Sequence, residues 1–340
     1  MVQRTTLNMA DIARQAGVSI ASVSRALSGA PGVSPETRKH IRSLAHDLGY
    51  TVSPDAARLA RGTSGRVAVV TPNLSHWFYS AMLDGIVTAL HEVETDVLLY
   101  EVKHERERTR FFAELPARRQ VDALVLIALP ISDEERQRLD KMEVAVVMAG
   151  GVLGDHPHVR VDDVAIADQA ASHLLVAGHE RIGLIGSGGT WVLPYAAPAG
   201  REQGYRRAMD RWGVPVREDL VVRPVWGTGG GAEGMAQLLC LRRPPTAVVA
   251  FSDEVAFGAL LTLRRAGVGV PERISVVGID DHELAEAFDL TTVRQPVTEQ
   301  GVRAGELVRQ VLTGREPEES QVELPCRLVL RGTTGAPRPT

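Results

Sequence analysis

From residue 66 to residue 280, short apolar runs alternate with stretches of helical period. The first series reads RVAVVTP, FYSAMLDGIVTALHEV, TDVLLYEV, RTRFFAELPARR, VDALVLIAL, DEERQRLDKM and VAVVMAG. Strands covered on both faces read as near-continuous apolar runs, and parallel strands need a crossover helix between them. The pattern therefore predicts βαβαβαβ, a parallel sheet with helices on both faces. A second series begins near Val161: DVAIADQAASHLLVAG, RIGLIGS, REQGYRRAMDRWG, DLVVRPV, GGGAEGMAQLLCL, TAVVAFS, EVAFGALLTLRRAG, ISVVGID. Two such halves predict two doubly wound subdomains with a cleft between them. The later stretches VTEQGVRAGELVRQVLTG and VELPCRLVLRGTT supply a helix and strands long enough to cross back between the halves.

Ligands of open α/β sheets sit outside the carboxyl ends of the strands. That rule points to residues 73–78, residues 187–191, Trp226, Ser252 with Asp253, and Asp280 with Asp281. Aromatic rings at Trp77, Phe78 and Trp226 beside polar Asn73, Arg201, Asp253 and Asp280 suit a sugar-like ligand. A flat ring covers the apolar face of a sugar, while Asp and Arg pair with its hydroxyls.

The first fifty residues follow another grammar. In NMADIARQAGVSIASVSRAL, Asn8 is placed to cap a helix, with Asp11 in its first turn. Met9, Ile12, Ala13 and Ala16 recur at helical spacing, and Gly17 sits where a left-handed residue ends the helix. Ser19 caps a second helix with Val23, Ala26 and Leu27 on its buried face. A third begins at Ser34, with Pro35 at its first position, Ile41, Leu44, Ala45 and Leu48 apolar, and Gly49 as its stop. The arrangement is a helix-turn-helix. The other face of its second helix carries Ile20, Ala21, Ser22, Ser24 and Arg25. Short side chains let such a helix enter the major groove closely, and Arg25 is placed for a bidentate contact to guanine.

Charge supports two kinds of partner. The 340 residues carry a formal net charge of −4. Residues 1–66 hold nine basic and four acidic residues, a net of +5, which leaves −9 for the rest. A basic head on an acidic body fits a small module that meets phosphates and a larger one that does something else. The two cysteines, Cys240 and Cys326, are far apart, which fits a reduced setting. The sequence shows neither a secretory signal pattern nor an apolar run long enough for a membrane span, so a cytoplasmic protein with no membrane partner is expected.

The head resembles the DNA-binding domain of the lactose-repressor (LacI/GalR) family of bacterial regulators. The run N-M-A-D-I-A-R-Q-A-G-V-S-I-A-S-V-S-R-A-L-S, then V-S-P-E-T-R at 33–38 and L-G-Y at 48–50, carries the likeness, with Asn8 and Ser22 standing for threonines. The resemblance implies that Ile20 and Ala21 read bases through apolar contacts, that Arg25 carries most hydrogen-bonded readout, and that Ser19, Ser22, Ser24 and Arg38 hold phosphates. It implies further that SPDAARLARG at 53–62 is a hinge in the minor groove, with Leu59 as the wedge between base pairs. The family's hinge proline follows the tyrosine by two residues; here that residue is Val52, and the proline is Pro54.

The body is similar to the same family's sensory domain through HLLVAGHERIGLIGSG, PTAVVAFSDEVAFGALLTLRRAGVGVPERISVVGIDD and LTTVRQP. Carried over, Arg201 matches the effector-binding arginine, Trp226 a residue that stacks on the ligand, and Asp280 an aspartate that contacts it. Ser252 and Asp253 lie on the matching loop, and Asn73 and Phe78 complete the expected site. One departure concerns Ala149, where many members place a cleft aspartate.

The expected architecture is an all-α helix-turn-helix DNA-binding head plus an α/β two-subdomain, periplasmic-binding-protein-like effector domain. Its boundaries are 1–52 for the head, 53–64 for the hinge and 65–340 for the effector and dimerisation domain. Within the last, one subdomain takes about 65–160 and 297–325, the other about 161–296 and 326–332. The expected function is transcription regulation, as a repressor, by a homodimer on a near-palindromic double-stranded DNA operator under a small-molecule effector. No cofactor, metal or catalytic residue is expected. Two rivals are weaker. G-x-G-x-x-G at 229, 231 and 234, with Asp253 about 20 residues on, has the spacing of a dinucleotide site and suggests an NAD-dependent oxidoreductase. Pro224 and Gly227 interrupt the strand that site requires, so a loop entering a helix is the better account. A sugar-binding protein without DNA would suit the body but leaves the head unexplained.

Overall fold

A computed structural model of the chain describes residues 8–48, 50, 63–93, 95–114, 121–142, 144–188, 196–315 and 317–338. It divides into two compact units, Met1–Gly65 and Arg66–Thr340.

The first unit is built from three capped helices: α1 (Met9–Ala16), α2 (Ile20–Ser28) and α3 (Pro35–Asp47). Asn8 Oδ1 accepts from the amides of Ala10 at 2.9 Å and Asp11 at 3.1 Å, and Asp11 returns a bond to the Asn8 amide. This reciprocal pairing satisfies donors that the first turn would leave open. Gly17 takes a left-handed φ of 65°, so the chain turns within three residues into Ser19, whose Oγ caps α2. Ser34 caps α3, with Pro35 at its first position. Ile12, Ala13, Val23, Ala26 and Ile41 meet in one small core.

The second unit alternates strands and helices. Its first half holds β1 (Arg66–Thr71), α4 (Trp77–Leu90), β2 (Asp96–Glu101), α5 (Glu105–Glu114), β3 (Ala123–Ile127), α6 (Asp133–Asp140), β4 (Ala145–Ala149) and β5 (His158–Arg160). Its second half holds α7 (Asp163–Val176), β6 (Ile182–Ile185), α8 (Ala196–Arg211), β7 (Val221–Val222), α9 (Thr228–Leu239), β8 (Ala247–Ala250), α10 (Asp253–Arg265), β9 (Ser275–Asp280) and β10 (Thr291–Arg294). Then come α11 (Val297–Leu312), β11 (Gln321–Glu323) and β12 (Arg327–Val329).

Two six-stranded sheets result, ordered β11-β5-β4-β3-β1-β2 and β12-β10-β9-β8-β6-β7. All pairings are parallel except β10 with β12. The chain therefore passes between the sheets three times: after β5, after β10, and between β11 and β12. Each sheet is covered on both faces, and each lobe accordingly has two apolar clusters.

Helices meet at glycine. A Cβ on Gly85 of α4 would lie 2.1 Å from the Thr298 carbonyl oxygen, and one on Gly301 of α11 would lie 2.1 Å from that of Met82. The same close approach joins α9 to α10, where a Cβ on Gly231 would be 2.0 Å from the Val255 oxygen. This corrects the expectation of a loop at GGGAEG: Gly229, Gly230, Gly231 and Gly234 all lie inside α9. Gly231 packs against α10, Gly230 against the Pro224–Val225 turn and Gly234 against Ile185 and Val222, and the four form no strand-to-helix phosphate turn, which removes the structural basis of the dinucleotide reading. The strand expected in DLVVRPV is only two residues long. Pro224 has no amide to donate to a ladder, and pairing resumes at a single bridge between Gly188 and Val225.

Candidate functional sites

In the first unit, packing sorts α2 into two faces. Val23 and Ala26 are fully buried, while Ser19, Ile20, Ala21, Ser24 and Arg25 are exposed and Ser22 is half-buried. Ile20 is 53% exposed, a large apolar side chain held in solvent at the start of a recognition-type helix. Ser19 and Ser22 bond each other, Oγ to Oγ at 2.9 Å, and so order the first turn. The Arg25 guanidinium lies over Gly32, in the loop before α3. Arg38 Nη2 donates to the Ala30 carbonyl at 2.7 Å, and Arg42 Nε to that of Ala26. Both arginines thus anchor the α2–α3 connection with part of their donor set. Val33, Pro35, Arg38, Lys39, Arg42 and Ser43 line a basic surface groove. Leu59, the expected wedge, and the hinge segment 53–62 lie outside the described residues.

In the second unit, a cavity of about 500 Å³ opens between the sheets. Asn73, Phe78, Arg201, Trp226 and Asp280 all line it. Arg201, on α8, is 5% exposed. Its Nε donates to Asp163 Oδ1 at 2.9 Å and its Nη1 to the Phe251 carbonyl at 2.6 Å, while Asp280 Oδ1 stands 3.8 Å away. Its guanidinium also lies 4.7 Å from the Phe251 ring centre. Burial works against this cation, but the Asp163 and Asp280 carboxylates outweigh it and raise its pKa further.

Asp280 ends β9 and accepts from Gln295 Nε2 at 2.5 Å; Gln295 in turn accepts from Gln300 Nε2 at 3.4 Å. Burial pushes the Asp280 carboxyl above the ordinary carboxylate range, with Arg201 opposing the rise. The row Asp163, Arg201, Asp280, Gln295 and Gln300 thus forms a polar floor. It touches two of the three crossings between the sheets, those after β5 and β10.

Ser252 and Asp253 stand elsewhere. Both are fully buried and neither lines the cavity. Ser252 caps α10 and accepts from Trp226 Nε1 at 3.1 Å. Asp253 accepts from the His282 amide at 2.8 Å and Thr292 Oγ1 at 2.6 Å, which ties α10 to β10. Ala149, at the end of β4, is fully buried, and the next residue, Gly150, lines the cavity.

Sequence reasoning missed several lining residues. Asp163 starts α7, Glu202 lies inside α8 beside Arg201, Arg223 follows β7, and Lys103 and His104 lie in the loop after β2. Lys103 and His104 follow a strand carboxyl end, so the strand-end rule could have found them. Asp163 and Glu202 carry no local signal. His76 lies within the 73–78 stretch that the strand-end rule picked out and also lines the cavity, but no role was expected of it, and its contacts reach both lobes.

These features define a class: a helix-turn-helix unit joined in one chain to a two-lobed α/β domain with a ligand-sized cavity. Residues 8–53 match the family described as bacterial regulatory proteins, lacI family. Residues 171–334 match a periplasmic binding protein-like domain. The HTH-type transcriptional repressor CytR of Escherichia coli (strain K12) is 33% identical over 340 residues, covering 98% of each chain. The HTH-type transcriptional regulator DegA of Bacillus subtilis (strain 168) is 30% identical over 333 residues, 95% of this chain and 97% of that one. Among solved structures, the transcriptional regulator CelR–cellobiose complex superposes with a TM-score of 0.71 at 30% identity, covering 96% of this chain and 99% of that one. The lac repressor dimer bound to operator superposes at 0.84 and 24% identity over 98% of this chain and all of that one, which shows a shared fold. The chain belongs to the lacI family of bacterial regulatory proteins, and it is a DNA-binding transcription regulator. Among the described residues, no helix is long and apolar enough to cross a membrane.

Proposed function

We propose that this regulator is a repressor that binds a near-palindromic operator as a homodimer in the cytoplasm and responds to a sugar-like effector in the interlobe cavity, with no enzymatic step of its own. The observation that carries the reading is the exposed face of α2. Ile20, Ala21, Ser24 and Arg25 stand in solvent while the opposite face is sealed into a core. In this reading Ile20 and Ala21 meet thymine methyl groups and Arg25 reads guanine. Ser19, Ser22, Ser24 and Arg38 hold phosphates and set register, and Leu59 wedges the minor groove. Two copies would read two half-sites about 34–36 Å apart.

Arg201 and Asp280 at the floor, with Asn73, Phe78 and Trp226 around them, would hold the effector. Ser252 and Asp253 would act from behind, by fixing Trp226 and the start of α10. The CelR relative is described in complex with cellobiose, and another lacI-family structure, 27% identical, with ribose. Both ligands suit a cavity that combines aromatic rings with buried charged groups. Selection of sites from a random duplex library, at stated salt, tests the reading. Enrichment of a near-palindrome is expected; a library that stays random, with and without sugars, would remove the DNA-reading role.

A further inference from the structure

His76 belongs to the first lobe, in the loop between β1 and α4, yet its side chain is held by the second. Its Nδ1 is 2.9 Å from Glu254 Oε2 in the first turn of α10. Its imidazole lies parallel to the Trp226 indole, with ring centres 4.6 Å apart and planes 3° from each other. The two side chains are only 20% and 18% exposed, so their bond is shielded from most competing water. Gly227, with φ of 111°, makes room: a Cβ there would stand 3.3 Å from His76 Cε1. Trp77, the next residue, adds a second crossing contact, 4.8 Å from the His282 ring.

Trp226 is the ring that a bound sugar would be expected to cover. Stacked rings at this separation are in van der Waals contact, so the indole face under His76 is not open to another ring. We propose that His76 is a gate: it bridges the two lobes and covers the Trp226 face, and a ring-bearing effector enters by displacing it. Displacement breaks the stack and the Glu254 hydrogen bond together. Occupancy of the cavity is thereby coupled to the freedom of the lobes to move, because ligand and bridge compete for one surface. The favoured ligand presents an apolar ring face together with hydroxyls for the Arg201–Asp280 floor, as a pyranose or furanose does. This identification of the ligand rests on the effector reading of the cavity; the bridge itself does not.

A gate reduces apparent affinity by the fraction of time it stands open. His76→Ala should therefore bind the displacing ligand more tightly, by about tenfold for a gate shut about nine-tenths of the time. A residue that merely contacts the ligand would show the opposite sign. The full chain is titrated with cellobiose and with D-ribose by calorimetry, as wild type, His76→Ala and Glu254→Gln. Tighter binding of either sugar to His76→Ala supports the gate. Weaker or unchanged binding, or no binding of either sugar to that variant, overturns it. Pulsed spin-label distances between Glu134→Cys in the first lobe and Arg217→Cys in the second, with Cys240 and Cys326 replaced by Ser, test the bridge without ligand. Longer or broader distances in both variants are expected, and an unchanged distribution overturns the bridge. Failure of the repressor reading would show instead in operator selection with the wild-type chain, which neither measurement uses.

Discussion

Arg25 and Asp280 are single side chains whose surroundings specify different tests. Arg25 is exposed on α2 with its guanidinium over Gly32. A bidentate guanine contact is worth about 1–3 kcal/mol of discrimination. Arg25→Ala should therefore relax selection at one operator position, read by repeating the library selection; equal weakening on every sequence would mark it as a phosphate contact. Asp280 is 4% exposed, and burial raises its carboxyl pKa. In the folded chain it holds its proton to higher pH than in the unfolded chain. Its ionisation therefore costs stability as pH rises above the ordinary value of 3.8. Asn keeps the shape and cannot ionise. Asp280→Asn should gain stability relative to wild type between about pH 5 and about pH 8, measured by denaturant unfolding. An equal difference at both values would mean that the wild-type carboxylate ionises without cost. Asp280→Ala should abolish the effector response and leave operator binding in place, as a gel shift with and without effector would show.

At the scale of elements, close helix approach makes Gly301 sensitive. The Met82 oxygen would stand 2.1 Å from a Cβ there, so Gly301→Ala must part α4 from α11 and should cost about 1–3 kcal/mol in denaturant unfolding. Gly213, with nothing within 4 Å but a φ of 67°, should show only the milder backbone strain. These glycines also mark the limit of what the sequence reveals. Strands and caps were legible because apolar runs, Asn8, Ser19, Ser34 and Gly17 act locally. GGGAEG was misread because Gly231 answers to Val255 of α10 and Gly234 to Ile185 and Val222 of the sheet, tertiary contacts that no local pattern encodes. The site divides in the same way. Residues at or just past strand ends, such as Asp280 and Asn73, were placed at the cavity, whereas the packing of Ser252 and Asp253 behind it depends on Trp226, His282 and Thr292. A further tertiary device is the docking of residues 331–338. His179, 2% exposed, bonds Thr246 Oγ1, Ser275 Oγ and the Gly335 carbonyl oxygen, and His173 bonds Thr334 Oγ1. Burial lowers the pKa of both histidines below 6.5. The unfolded chain then takes up protons first, so their stabilising contribution is present above 6.5 and is lost as pH falls below it. Thermal unfolding should occur at lower temperature as pH drops through that range, and His179→Ala, though less stable at neutral pH, should show a shallower decline. A decline as steep in the variant would place the titrating group elsewhere.

For the whole molecule, the separation of charge decides how DNA binding responds to salt. The net of +5 in residues 1–66 must supply the attraction, because the remaining −9 opposes it. Counterions are released only where a cation neutralises a phosphate, at a slope of about 0.9 in log K against log salt for each contact. The phosphate contacts proposed for Ser19, Ser22 and Ser24 would add register without adding slope. Lys39, exposed in the groove with Arg38 and Arg42, is the clearest slope-bearing side chain. In the proposed dimer each substitution is made twice. Lys39→Ala should therefore reduce the magnitude of the slope by about 1.8, weakening operator and random DNA alike. Ile20→Ala should change base preference and leave the slope alone. A change of about 0.9 for Lys39→Ala would mean that one head docks at a time. The two-half-site operator would then be the wrong description of the complex even if the chain proved to be a repressor.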